Sequence, residues 1–297
     1  MQTFVNSYAH GRDIAAHRRL RGAISLATLL LTLLTPCGAM AAEPVQPYLV
    51  GVVPQFDVKQ TIAIWRPLLA RLEQQTGISL TFEPSADIPQ FEADLMQGKF
   101  DFAYMNPYQL TLSNRSAGYA PLLRDHGQNL QGILVVKKGG GIERLEQLAG
   151  KVVTFPSPSA LGASLLVRSD ILHREGVPFT PHYSRSHTSV YLNVATGLIA
   201  AGGGVRKTLE QQEETIRSKL QILATTSTVP SHPFAAHPRL PDRVREVIAG
   251  AFIALNGDEA GRGLLAAIPI TQPAPASLDD YQRLSALGLE GLYSRGE

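Results

Sequence analysis

The sequence predicts an α/β fold. Short apolar runs alternate with stretches of helical period along the chain, and glycines close several of the helical stretches. No internal repeat and no linker rich in serine, glycine or charge divides it. With 297 residues, 44% hydrophobic and 18% charged, the chain can bury a sizeable core and has the length of two ordinary domains or one large one.

The elements follow in order. Tyr48–Val53, "YLVGVV", reads as a strand. Thr61–Gln75 reads as a helix with Ile64, Leu68, Leu69 and Leu72 on one face, and Gly77 suits the residue just past its end. A strand at Ile78–Phe82 and a helix at Ile88–Met96, closed by Gly98, come next. A third strand is predicted at Phe100–Met105, after which Pro107 fits the first position of another helix. Ile133–Val136 and Lys151–Thr154 read as strands, with a short helical piece at Ile142–Leu148 between them. Leu161–Glu175 reads as a helix with Leu165, Leu166, Ile171 and Leu172 available for packing. A strand at His182–Ser184 and a helix at Thr188–Thr196 follow. Leu198–Ala201 then reads as a strand running into Gly202-Gly203-Gly204, and Leu220–Ala224 as a late strand. Arg243–Leu255 is a strong helix, and helical structure is expected beyond it. Two lobes that share crossovers fit this order better than two separate beads.

The N-terminus has a different character. Arg18, Arg19 and Arg21 precede an apolar stretch from Ala23 to Leu34, then Pro36, small residues and the triplet Ala39-Met40-Ala41. This is the order of an export signal, and cleavage is expected after Ala41 or Ala42. The apolar stretch is shorter than the ~20 residues of a membrane-spanning helix. The one cysteine, Cys37, lies inside this segment, and the proline before it argues against lipidation. The mature chain then has no cysteine and no long apolar span, so a soluble periplasmic protein held together by its core is expected. A net charge of +2, with no block of like charges, argues against nucleic acid as a partner.

Several strand-to-helix junctions carry polar groups. "FPSPSALGAS", residues 155–164, places Ser157, Ser159 and the N–H groups of residues 160–162 where a helix begins. Such groups can hold an oxyanion. Equally, Ser159 can cap the helix. "YMNPYQL" offers Tyr104, Asn106 and Tyr108, either for a cleft wall or for ordinary packing and a turn. His187, Thr188 and Ser189 open a later helix, and Gln55 and Phe56 follow the first strand. Gly203 allows a close backbone approach to a ligand or serves a turn. His232 and His237 stand five apart beside prolines without a carboxylate, which is weak support for a metal. No metal site, cofactor or catalytic residue is expected.

Four segments taken together resemble a known family: "VGVVPQFD", "GKFDFAYMNPYQL", "LAGKVVTFPSPSALGASLLVRSDILHREGV" and "SHTSVYLNVATGLIAAGGGVRKTL". In order and spacing they are similar to the phosphate, phosphite and phosphonate substrate-binding proteins of ABC importers. The resemblance runs from about Tyr48 to Leu255. It implies a type II periplasmic-binding-protein fold, with two lobes, each a mixed sheet flanked by helices, joined by two crossovers around a cleft. Lobe one is expected at 44–128 and 225–297, and lobe two at 129–224. The candidate ligand contacts are Gln55, Phe56, Tyr104, Asn106, Tyr108, Ser157, Ser159, Ala160, His187, Thr188, Ser189 and Gly203, and the resemblance itself favours contact at the 157–164 loop and at His187. The chain also departs from the family. Ala160-Leu161 replaces part of a denser hydroxyl run, Thr188 stands where an acid is common, and no aspartate stands near Ala201. Those losses argue against an amino-bearing ligand. The implied function is a monomeric binding protein that passes a small oxyanion to a membrane permease. The alternatives are a sensor feeding a membrane kinase and a hydrolase on the same fold. No G-x-S-x-G elbow supports the hydrolase, and no third group orients His187 toward Ser157 or Ser159.

Overall fold

The structure, a computed structural model, describes residues 46–268 and 270–293, without the side chains of Leu172 and His173. The expected export signal at 1–41, Cys37 included, lies outside the described residues. Two mixed sheets organise the rest. The first has six strands in the order β11-β4-β10-β3-β1-β2: β1 (Tyr48–Val52), β2 (Leu80–Glu83), β3 (Phe102–Tyr104), β4 (Ala120–Asp125), β10 (Pro233–Ala236) and β11 (Pro273–Pro275). The second has five, in the order β7-β6-β8-β5-β9: β5 (Leu130–Lys137), β6 (Lys151–Phe155), β7 (Phe179–Tyr183), β8 (Ala201–Val205) and β9 (Leu220–Val229). The chain passes between the sheets twice, from β4 to β5 and from β9 to β10. The boundary expected at residue 224 falls inside β9, which stays paired with β5 to Val229.

Local signals explain where the helices begin. Helix α1 (Val58–Thr76) starts three residues before the apolar period suggests, because the Asp57 carboxylate accepts the Gln60 N–H at 2.9 Å and caps it. Its buried face is Thr61, Trp65, Leu68, Leu69 and Leu72, with Ile64 half-buried against the same cluster. Gly77 ends it at φ 70°, a conformation glycine adopts without strain. Helix α2 (Ile88–Met96) is capped by Asp87. Helix α3 (Pro107–Ala117) has Pro107 at its first position and a reciprocal cap between Asn106 and Gln109. Helix α4 (His187–Thr196) is capped by Ser186.

The core follows from strand alternation. Along β5, Ile133 and Val135 pack on one face with Val190, Tyr191 and Val194, while Leu134 and Val136 pack on the other with Phe155 and Val167. In the first lobe Val50, Leu68, Leu72, Phe91, Phe102 and Phe234 form a cluster that continues into Leu161, Leu165 and Leu166 of the second. Each such large side chain contributes about 1.5–3 kcal/mol on burial.

Residues Leu161–His173 form a π-helix: Leu165 N–H reaches back five residues to the Ala160 carbonyl, at 3.1 Å. It is buried on every side from Leu161 to Arg168. Glycines admit it. A Cβ on Gly203 would lie 1.9 Å from the Ala163 carbonyl oxygen, and one on Gly132 would lie 2.1 Å from that of Gly162. The Gly202-Gly203-Gly204 run is therefore strand β8 itself, packed under a helix, rather than a turn after a strand ending at Ala201.

Asp125, fully buried at the end of β4, ties the crossovers together. Its carboxylate accepts from the N–H groups of Gly127 (2.8 Å), Gln272 (2.9 Å) and Thr271 (3.0 Å). Its carbonyl accepts from Ser231, in the other crossover, at 2.7 Å.

Candidate functional site

The candidate site lies where the two sheets and both crossovers meet. A small cavity of about 20 Å³ is lined by Gln55, Asn106 and Ile88 from lobe one and by residues 160–163 and His187 from lobe two, with His232 of the second crossover. A larger one of about 160 Å³ shares Gln55, Val205 and His232 with it and extends along Tyr104, residues 128–131 and residues 206–208. Neither is lined by a carboxylate.

The start of the π-helix supplies the donors. Ser157 Oγ accepts the Ala160 N–H at 3.1 Å. The next three N–H groups, of Leu161, Gly162 and Ala163, have no acceptor among the described residues. Those three residues line the small cavity. Helix N-termini leave such donors free, and the helix dipole adds positive potential there. The available N–H groups thus lie one residue later than 160–162.

The serines turn inward. Ser157 and Ser159 hydroxyls are 3.2 Å apart, and Ser159 is hydrogen-bonded to Glu92. With Glu92 ionised, Ser159 donates to it and Ser157 donates to Ser159, so both protons are engaged away from the cavity. Burial pushes the Glu92 carboxyl up, against the hydrogen bonds from Ser159 and Gln109. Asn106 Nδ2 donates to the Ser159 carbonyl at 3.4 Å, bridging the lobes, and Arg168 Nη2 donates to that of Pro158 at 2.6 Å.

His187 is the first residue of α4 and is buried. Its Nδ1 lies 3.1 Å from Thr208 Oγ1, which in turn lies 2.8 Å from the Tyr191 hydroxyl. Burial, with a smaller contribution from His232, pushes the His187 imidazole down to about 3. Burial likewise pushes His232 down to about 4. Both rings are neutral at pH 7, each with one donor and one acceptor nitrogen. The His232 ring stacks on Tyr104 at 5.4 Å, and Tyr104 packs on Trp65 at 4.9 Å.

Of the residues expected from sequence, Gln55, Tyr104, Asn106, Ala160 and His187 line these two cavities. Phe56 lines a separate small hollow with Trp65. Tyr108 packs on Tyr293 at 5.4 Å. The Ser189 N–H is bonded to the Ser186 cap, and Thr188 beside it is half-buried and lines neither cavity. Gly203 lies inside β8 under the π-helix, so helix packing, not a ligand or a turn, accounts for it. Of the residues lining the cavities, Arg206, Lys207, Thr208 and the crossover at 128–131 are absent from the sequence reading, and His232 enters it only as half of a weak metal pair. Their one sequence signal is position: each lies in a crossover or directly after a strand. His237, the other half of the weak metal pair, instead packs edge-on against Tyr119 at 5.2 Å.

Comparison with known proteins points one way. The family described as "ABC transporter, phosphonate, periplasmic substrate-binding protein" matches residues 50–281. The chain is 22% identical over 266 residues to the phosphate-import protein PhnD of Mycolicibacterium smegmatis, covering 80% of this chain and 83% of that protein. A binding-protein component of an ABC phosphonate transporter from Pseudomonas aeruginosa superposes with a TM-score of 0.74 at 16% identity, over 82% of this chain and 85% of that one. PhnD1 from Prochlorococcus marinus, solved in complex with methylphosphonate, also gives 0.74, at 15% identity, over 81% and 96%.

Proposed function

The chain belongs to the periplasmic substrate-binding proteins of phosphonate ABC transporters, and from that premise we propose that it captures phosphite, phosphate or a small alkylphosphonate between its lobes and delivers it to an ABC permease. One observation carries the reading: three adjacent backbone N–H groups, of Leu161, Gly162 and Ala163, have no acceptor among the described residues and belong to residues lining an interlobe cavity. Neutral donors at a helix N-terminus suit a tetrahedral anion that must bind and then leave. Asn106, Gln55 and the neutral His187 and His232 add hydrogen-bonding groups around the same point.

The relatives support a phosphorus ligand, since one is a phosphate-import protein and another was solved with methylphosphonate. The protein works without chemistry. His187 Nδ1 is paired with Thr208 rather than with a serine, which supports capture over hydrolysis. It is exported by the segment 1–41, acts as a monomer, and closes by a hinge at the two crossovers.

The lone tryptophan offers a test, because Trp65 packs on Tyr104, which lines the larger cavity. Titrating the mature protein with phosphate, phosphite or methylphosphonate should give a saturable change in Trp65 emission. Sodium chloride at equal ionic strength should give none. A flat response to all three phosphorus anions, with no heat in a parallel calorimetric titration, would count against the proposal.

A further inference from the structure

The two cavities differ in charge and size. The smaller is lined by no lysine, arginine or carboxylate. The larger has Arg206 and Lys207 on its wall and no acid to balance them. Among the described residues neither cation forms an ion pair or a side-chain hydrogen bond. Lys207 is half-buried and Arg206 exposed, so the two charges stand at the mouth of the cleft, one of them partly shielded from solvent. The remaining polar wall is uncharged, made of amides and hydroxyls such as those of Gln55, Gln128, Asn129, Gln131 and Ser231, with the neutral His232 imidazole.

Size divides the cavities further. A cavity needs about 10–15 Å³ to hold one water. At about 20 Å³ the smaller seats little more than one oxygen-sized group, next to the free N–H groups of residues 161–163. At about 160 Å³ the larger has room for the rest of a molecule several heavy atoms long. A ligand with one oxygen at the helix start therefore extends past Gln55 and His232 toward Arg206 and Lys207.

We propose that the larger cavity is a second subsite for a second anionic group on the same ligand, so that the preferred substrate is an organic phosphonate or phosphate that also carries a carboxylate or another phosphoryl group. The inference rests on the reading of the smaller cavity as the oxyanion seat. Two uncompensated cations attract such a group and repel an amine at the same position. They act in partial contact with solvent, so salt screens them.

The test compares methylphosphonate, phosphonoacetate and 2-aminoethylphosphonate by calorimetric titration of the mature protein at low and high salt. Phosphonoacetate should bind at least about tenfold more tightly than methylphosphonate, equivalent to about 1.4 kcal/mol. The aminated compound should bind more weakly than methylphosphonate. In the double variant Arg206→Gln, Lys207→Gln the ratio of phosphonoacetate to methylphosphonate affinity should fall to near one, and added salt should reduce it in the wild type. Equal affinities in the wild type, or a ratio that survives the double substitution, would overturn the second subsite while leaving the oxyanion seat standing. Failure of every phosphonate to bind would remove both.

Discussion

At His187 the chemistry of a single ring is set by where α4 begins. Ser186 caps the helix, and the next side chain is driven inward against Thr208 and Tyr191. The buried ring refuses a proton until about pH 3, whereas an unfolded histidine takes one near pH 6.5. Between those values the unfolded state binds more protons, so stability is complete above pH 6.5 and falls as the solution is acidified. The slope is about 1.4 kcal/mol per pH unit for such a group. Glu92 works in the opposite sense, because its raised carboxyl contributes stability at low pH that is lost as pH rises through its folded value. Urea unfolding between pH 7.5 and 5 should therefore show stability declining with acid, and His187→Gln should make that decline about half as steep, the buried His232 supplying the rest. A wild-type decline no steeper than the variant's would contradict the buried neutral His187 ring. At this scale the sequence reached Gln55, Tyr104, Asn106, Ala160 and His187, because each follows a strand or opens a helix. It could not tell that Ser157 and Ser159 turn inward, since that depends on Glu92, which arrives from another helix. The ligand-side place of His232 and Arg206 was equally hidden, because the second crossover brings the one to the cleft and the end of β8 the other.

Among the elements, the π-helix and strand β8 explain each other. A wide helix with small residues at its start approaches the sheet so closely that carbonyl oxygens of Gly162 and Ala163 stand over Gly132 and Gly203. Glycine is a poor strand former, which is why the run 202–204 reads as a turn. The structure keeps it as a strand because no side chain fits beneath the helix. Gly203→Ala should consequently lower stability by about 1–3 kcal/mol, as overpacking of a close-packed interior does. A Cβ 1.9 Å from a backbone oxygen leaves no flexible neighbour to yield. Denaturant titration measures the loss, and an unchanged midpoint would show that the helix does not pack this closely. Long helices and apolar strands such as β1 and β5 were legible from period and length. Strands β4, β10 and β11 were not: β10 and β11 are short, and prolines at 121, 233, 273 and 275 break the strand signal in all three.

For the whole molecule, the two-lobed plan was legible through the family resemblance that four scattered segments carry together, since no internal repeat announces it. The hinge was less so. Asp125 links the first crossover to residues 271 and 272 and, through its carbonyl, to Ser231 in the second. Those partners are about 100 residues or more away in sequence and carry no shared motif. In the proposed capture, lobes that meet at Asn106 and the Ser159 carbonyl would be held together more firmly by an anion seated between them. Thermal unfolding of the mature protein measures this most directly. Phosphate, phosphite or an alkylphosphonate at about 100 times its dissociation constant should add about 2.7 kcal/mol to the folded state and raise the midpoint accordingly. A midpoint unmoved by phosphate, phosphite, hypophosphite and simple phosphonates alike would contradict the central claim that this cleft receives a phosphorus oxyanion.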